Sequence, residues 1–138
     1  MKVTLNRIDQ GFHFEGIGSS ANHVHIDGSE EIGGSNSGVR PMELVLMGLG
    51  SCGAMDIISI LKKQRQDLQD LKIYIDGKRD YKQTPAVFTE INIEFIFFGD
   101  LDKTKVEKAV SLSMEKYCSV SAMLEKTVKI SYSFDIKN

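Results

Sequence analysis

The 138-residue chain carries 41% hydrophobic and 26% charged residues, the balance of an ordinary globular protein rather than a disordered or fibrous one. Its net charge of −2, from 17 basic and 19 acidic residues with no long run of either sign, favours neither nucleic acid nor an anionic membrane as partner. Two cysteines are too few for a disulfide framework. The length predicts a single domain over residues 1–138.

Met1 to Asp9 alternates polar and apolar residues and does not read as a signal peptide. Three short strands are expected around Val3 and Leu5, Phe12 and Phe14, and Val24 and Ile26, where apolar residues recur at a period of two between glycines. Asp27 to Gly38 is a Gly/Ser-rich loop. Pro41 opens a helix, because a first-turn residue needs no N–H, and Glu43 suits the positive end of its dipole. The following residues are apolar almost all round to Asp56, the pattern of a helix covered on every side. The uncharged stretch Leu44 to Met55 is twelve residues, against the roughly 20 of a membrane span, so no membrane is expected.

Leu71, Ile73 and Ile75 predict a strand ending at Asp76-Gly77, and Val87 through Phe97 a long one. A second helix starts at Asp102, a good N-cap, and continues or restarts through Cys118 to Leu124. Val128 to Ile136 alternates to the end. The order β-β-β-α-β-β-α-β predicts an α+β fold of antiparallel sheet and two helices. One small sheet cannot cover an all-round apolar helix, which predicts a homodimer with the helices between two sheets.

Cys52, in Gly50-Ser51-Cys52-Gly53, and Cys118, 66 residues later, each read alone as a small buried hydrophobe. If their helices pack together, a thiol pair in a reducing, cytoplasmic setting suggests a peroxidatic and a resolving cysteine. Burial raises a thiol's pKa, so the nucleophile needs a cationic partner, for which a carboxylate-oriented arginine is suited. Arg40 and Glu43 are the local candidates and Arg7 a remote one. Gly48-Leu49-Gly50-Ser51-Cys52-Gly53 also matches the dinucleotide fingerprint, with Asp76 at the distance of its acidic residue. The short run before it opens with Pro-Met-Glu, and no second βαβ half follows. His23 and His25 share a strand face without further ligands, so no metal is expected.

Arg40-Pro41-Met42-Glu43-Leu44 leading into Leu49-Gly50-Ser51-Cys52, with Glu115-Lys116-Tyr117-Cys118-Ser119-Val120 later, resembles the OsmC/Ohr family over essentially the whole chain. The resemblance implies an intertwined homodimer, with antiparallel sheets wrapped around central helices and a site at the subunit interface. It implies thiol-dependent reduction of organic hydroperoxides to alcohols, with Cys52 peroxidatic and Cys118 resolving through an intramolecular disulfide. A dithiol reductant, a lipoyl-bearing protein or a small thiol, would reset the pair, and no cofactor is implied. In the family's peroxidases a glutamate directly follows the helix-start proline, whereas here Met42 holds that place and Glu43 lies one residue on, about 100° around the helix. Alternatives are an OsmC-like redox-sensing or small-molecule-binding dimer without efficient turnover, and a dinucleotide-binding protein.

Overall fold

The computed structural model describes all residues, 1–138, as two compact units, 1–45 and 46–138. The first unit holds β1 (Thr4–Arg7), β2 (Phe14–Ile17) and β3 (His23–Ile26), joined in that order as an antiparallel sheet. The second strand starts two residues later than its sequence suggests. Asp9 Oδ1 accepts from the amides of Gly11 and His13, at 2.8 and 3.2 Å, and so fixes Asp9 to His13 as a turn.

The Gly/Ser-rich loop is ordered around one carboxylate. Asp27, only 2% exposed, accepts from the amides of Gly28 at 2.7 Å and of Ser35 and Ser37 at 3.0 Å. The Ser37 amide, the strongest influence, outweighs burial and, with Gly28, Ser35 and the charge of His13, holds the Asp27 carboxyl below its ordinary range. His25, on β3, shares a hydrogen bond of 2.8 Å with His13, and His23 pairs with Glu15 at 2.9 Å. The two histidines of β3 therefore have different partners rather than one solvated role.

Helix α1 (Pro41–Lys63) runs unbroken for 23 residues. It is longer than its twelve-residue uncharged stretch and is apolar enough by composition to span a membrane. Its buried residues Leu49, Gly50, Gly53, Ala54, Ile57 and Leu61 instead face protein. Gly50 brings the helix onto the neighbouring strand, for a Cβ there would lie 2.4 Å from Ile75 Cδ1. A Cβ on Gly53 would press on Met114 Sδ at 3.2 Å. The glycines of the dinucleotide-like motif thus lie inside a helix, two of them serving close packing. The strand–turn–helix that a phosphate-binding loop needs is not formed, which removes the dinucleotide reading.

The second unit's sheet has the order β4 (Asp70–Arg79), β5 (Phe88–Phe98), β6 (Lys129–Lys137). Strand β4 does not stop at Asp76-Gly77 but pairs on through Gly77 opposite Ile91. Phe88 Cε1 would lie 2.6 Å from a Cβ on Gly77, so glycine here makes room for a ring rather than a turn. Strand β5 is central and buries Phe88, Ile91, Ile93, Phe95, Ile96 and Phe97. It is antiparallel to β4 but parallel to β6, which corrects the expectation of a wholly antiparallel sheet. The cause is the connection: the chain leaves β5, crosses through helices and re-enters alongside it, as a helical crossover requires of a parallel pair.

That crossover is α2 (Lys103–Leu112), a π turn (Ser113–Tyr117) and α3 (Ser119–Leu124) rather than one second helix. Asp102 caps α2 by accepting from the amides of Thr104 and Lys105, at 2.9 and 3.3 Å. The mixed α+β class is as expected, with two three-stranded sheets and three α-helices.

Candidate active site

The π turn is where the site is built. One extra residue in a helical turn widens it, and such turns occur often at functional positions. Here the Cys118 amide donates to Ser113 O at 2.8 Å, five residues back, and the backbone of Cys118 swings to an extended conformation before α3 begins. Two buried hydroxyls lock the turn. Ser113 Oγ donates to Gly53 O at 2.9 Å, and Ser121 Oγ donates to Met114 O at 3.0 Å. Tyr132 on β6 adds a third tie by donating to the Glu115 carboxylate. Burial first, and Glu115 second, push the Tyr132 phenol up to about 12.

The consequence is that Cys118 is aimed at α1. Its thiol donates to Leu49 O at 3.9 Å, and its sulfur accepts from the Ser121 amide at 3.4 Å. Ser113 and Cys118 thereby engage both ends of the Leu49–Gly53 turn that carries Cys52. Cys52 is a direct neighbour of Cys118, close enough to act on its titration, and both are free thiols. They differ in access, Cys52 half-buried and Cys118 only 2% exposed. Burial is the main cause that pushes the Cys118 thiol up to about 11, and Cys52 adds to it against the opposing Ser121 and Val120 amides. At neutral pH Cys118 is a thiol, not a thiolate.

The other two sequence candidates take different roles. Glu43 does not orient the Arg40 guanidinium. Its Oε1 accepts from the Arg40 backbone amide at 3.0 Å, which caps the start of α1 as the acidic half of a capping box does. The guanidinium instead donates to Asp27 O at 3.3 Å, Gly38 O at 3.0 Å and the Asn36 side chain, closing the loop that Asp27 organises. The reason is reach: a glutamate in the first helical turn finds a free N–H closer than the guanidinium. Sequence reasoning passed over Ser113 and Ser121, whose only signal was a pair of small polar residues among the apolar positions of a helix.

Comparison with known proteins decides the family. The model of the OsmC-like protein family matches residues 34–133, which include both cysteines. The chain belongs to the OsmC-like family. Among members, protein YhfA of Escherichia coli K12 is 41% identical over 128 residues, covering 92% of each chain. The crystal structure of a hypothetical protein from Aquifex aeolicus VF5 is 34% identical, covering 99% of this chain and 97% of that one, with a TM-score of 0.82. At the level of fold alone, an organic hydroperoxide resistance protein OsmC from Legionella pneumophila superposes with a TM-score of 0.71 at 17% identity, over 97% and 95% of the two chains. The OsmC-like fold is therefore common to chains that share few residues with this one.

Proposed function

We propose that the protein is a thiol-dependent peroxidase that reduces organic hydroperoxides to alcohols. The observation that carries this reading is the meeting of an accessible thiol, Cys52, with a buried, protonated one, Cys118, inside an OsmC-like fold. Unequal access divides the labour. The Cys52 thiolate attacks the terminal peroxide oxygen of ROOH, the O–O bond breaks, and the alkoxide leaves and takes a proton as ROH. Cys52 is left as sulfenic acid, oxidised by two electrons. Cys118 then attacks the Cys52 sulfur, the S–OH bond breaks, and water leaves as the disulfide forms. Two electrons from a dithiol, or from two small thiols, restore the pair. Exposed Met55, three residues beyond Cys52 and so on the same side of α1, offers an alkyl chain apolar surface, which favours organic hydroperoxides over hydrogen peroxide.

Catalysis of this kind goes with a cytoplasmic location, where thiols are kept reduced, and with a single functional domain spanning the chain. A homodimer belongs to the same proposal. Helix α1 exposes Met47, Met55 and Ile58, and the first unit exposes Val3, Leu5, Ile8, Phe12 and Val24, apolar surface that a second copy would cover. Arg40 and Glu43 enter this reading only by shaping the loop and the start of α1: the guanidinium is engaged by Asp27 O, Gly38 O and Asn36 rather than by Cys52, the observation that favours the redox-sensing alternative over fast turnover.

The test is rapid mixing of reduced protein with cumene hydroperoxide. It should consume two thiols per chain and yield one intramolecular disulfide, and Cys52→Ser should remove the reaction. Equal peroxide consumption by Cys52→Ser and wild type would refute the proposal. Stoichiometric oxidation without turnover under excess reductant would support the redox-sensing reading instead.

A further inference from the structure

A serine in a helical segment usually satisfies its hydroxyl on its own backbone, three or four residues back. Ser51 and Ser111 do so, donating to Met47 O at 2.7 Å and to Lys108 O at 3.4 Å. Ser113 does not. It is wholly buried, and its hydroxyl leaves its own turn, crosses to α1 and donates to Gly53 O at 2.9 Å. That carbonyl stands four residues before the Ile57 amide, where the ladder of α1 already uses it. Ser113 has a local acceptor in Ala109 O, four residues back, and Gly53 O has a local donor. A bond that neither end needs for its own satisfaction serves the joint between the two segments.

The joint is narrow there. A Cβ on Gly53 would lie 3.2 Å from Met114 Sδ and 3.6 Å from Ser113 Oγ. Cys52 directly precedes Gly53, and Cys118 follows the π turn that Ser113 begins, with its amide bonded back to Ser113 O at 2.8 Å. Ser113 is therefore joined through its side chain to the neighbour of one cysteine and through its carbonyl to the other cysteine. Ser121 and Tyr132 act elsewhere, since Ser121 bonds within the crossover and Tyr132 ties it to β6.

Two thiols bond more readily the more completely the fold has already restricted their separation, because closure then costs little further entropy. We propose that Ser113 is the positioning residue of the thiol pair: its bond to Gly53 O holds the π turn against the turn that carries Cys52 and so sets how readily the Cys52–Cys118 disulfide closes. The inference rests on the thiol–disulfide cycle proposed above and names the group that prepares its resolving step. The hydroxyl itself gives up no proton and forms no bond to sulfur.

The test uses glutathione, so that it does not depend on hydroperoxide. A thiolate of the pair attacks oxidised glutathione and one glutathione leaves as the thiol. The second cysteine then displaces the other glutathione, so the two protein thiols are oxidised as one glutathione disulfide is reduced to two thiols. The ratio of protein disulfide to dithiol in buffers of known glutathione composition gives the effective concentration of the pair. Ser113→Ala should lower it on the order of fivefold, the worth of one buried neutral hydrogen bond, which raises the reduction potential of the pair by about 20 mV. Asp102→Ala is the control. It removes the cap at the far end of α2 at comparable cost to stability, and its side chain bonds only within its own first turn, so the effective concentration should stay at the wild-type value.

An unchanged value in Ser113→Ala overturns the proposal, as does an equal fall in Asp102→Ala, which would reduce Ser113 to a contributor to general stability. Hydroperoxide consumption with a disulfide insensitive to Ser113→Ala sinks this inference and leaves the peroxidase. A disulfide that depends on Ser113, in a protein that does not consume hydroperoxide, sinks the peroxidase and leaves the inference. A wild-type pair that glutathione never oxidises overturns both.

Discussion

Each of the two units of the chain owes its internal order to different physics. In residues 1–45 the only buried positions are Asp27 and Gly28, and order comes from amides converging on a carboxylate and from a short antiparallel ladder. In residues 46–138 order comes from apolar packing, with Leu49, Ile57, Leu61, Ile91, Ile93, Phe95, Phe97, Val106 and Val110 almost wholly removed from water. The chemistry follows the division. Both cysteines sit in the packed unit, where close-packed neighbours can hold a sulfur in one place. The hydrogen-bonded unit leaves large apolar side chains in water, the surface that the proposed second copy would cover.

This contrast can be broken by mutation. Phe95→Ala, in the packed unit, should cost about 3–5 kcal/mol by denaturant titration. Leu5→Ala on β1 should change the same measurement by under about 0.5 kcal/mol and act on self-association instead, read by sedimentation. Equal costs for the two would abolish the distinction.

The next largest effect is electrostatic. The Cys118 thiol titrates higher in the fold than in the unfolded chain, from 9.0 to about 11. Its contribution is therefore fully present below pH 9 and lost as pH rises toward 11, by an amount on the order of 2 kcal/mol. Denaturation midpoints measured from pH 8 to 11 should show a decline that Cys118→Ala lacks. For Asp102→Ala, loss of the α2 cap should cost about 1 kcal/mol.

In the first unit the sign reverses. Asp27 titrates lower in the fold, so its support is present above pH ~4 and fades as the carboxylate is protonated below that. Hydrogen exchange at the Ser35 and Ser37 amides should accelerate there relative to a neutral reference peptide, and Asp27→Asn should show the faster exchange at every pH.

Much of the fold was legible because burial writes a period into the chain. The alternation through β5 and the helix start at Pro41 are local patterns with one reading. Gly77 misled because a glycine that makes room for Phe88 looks, in sequence, like one that makes a turn. The parallel placement of β6 is set by the route of the crossover, which no residue in β6 records. The meeting of Cys52 and Cys118 depends on the π turn, and a one-residue widening leaves no periodic trace in five residues. Arg40 and Glu43 were found as residues but not as roles, since helix capping and guanidinium binding call for the same side chains.

The widened turn from Ser113 to Tyr117 holds one amino acid more than a regular coil would. Deleting a single codon there would restore ordinary winding and rotate every following side chain about 100° about the axis. Sulfur would then point away from its mate, and the buried Ser121 and Val128 that follow the turn would lose their places with it. The nearness of the two thiols and the packing behind them therefore stand or fall together on a single residue's width of backbone.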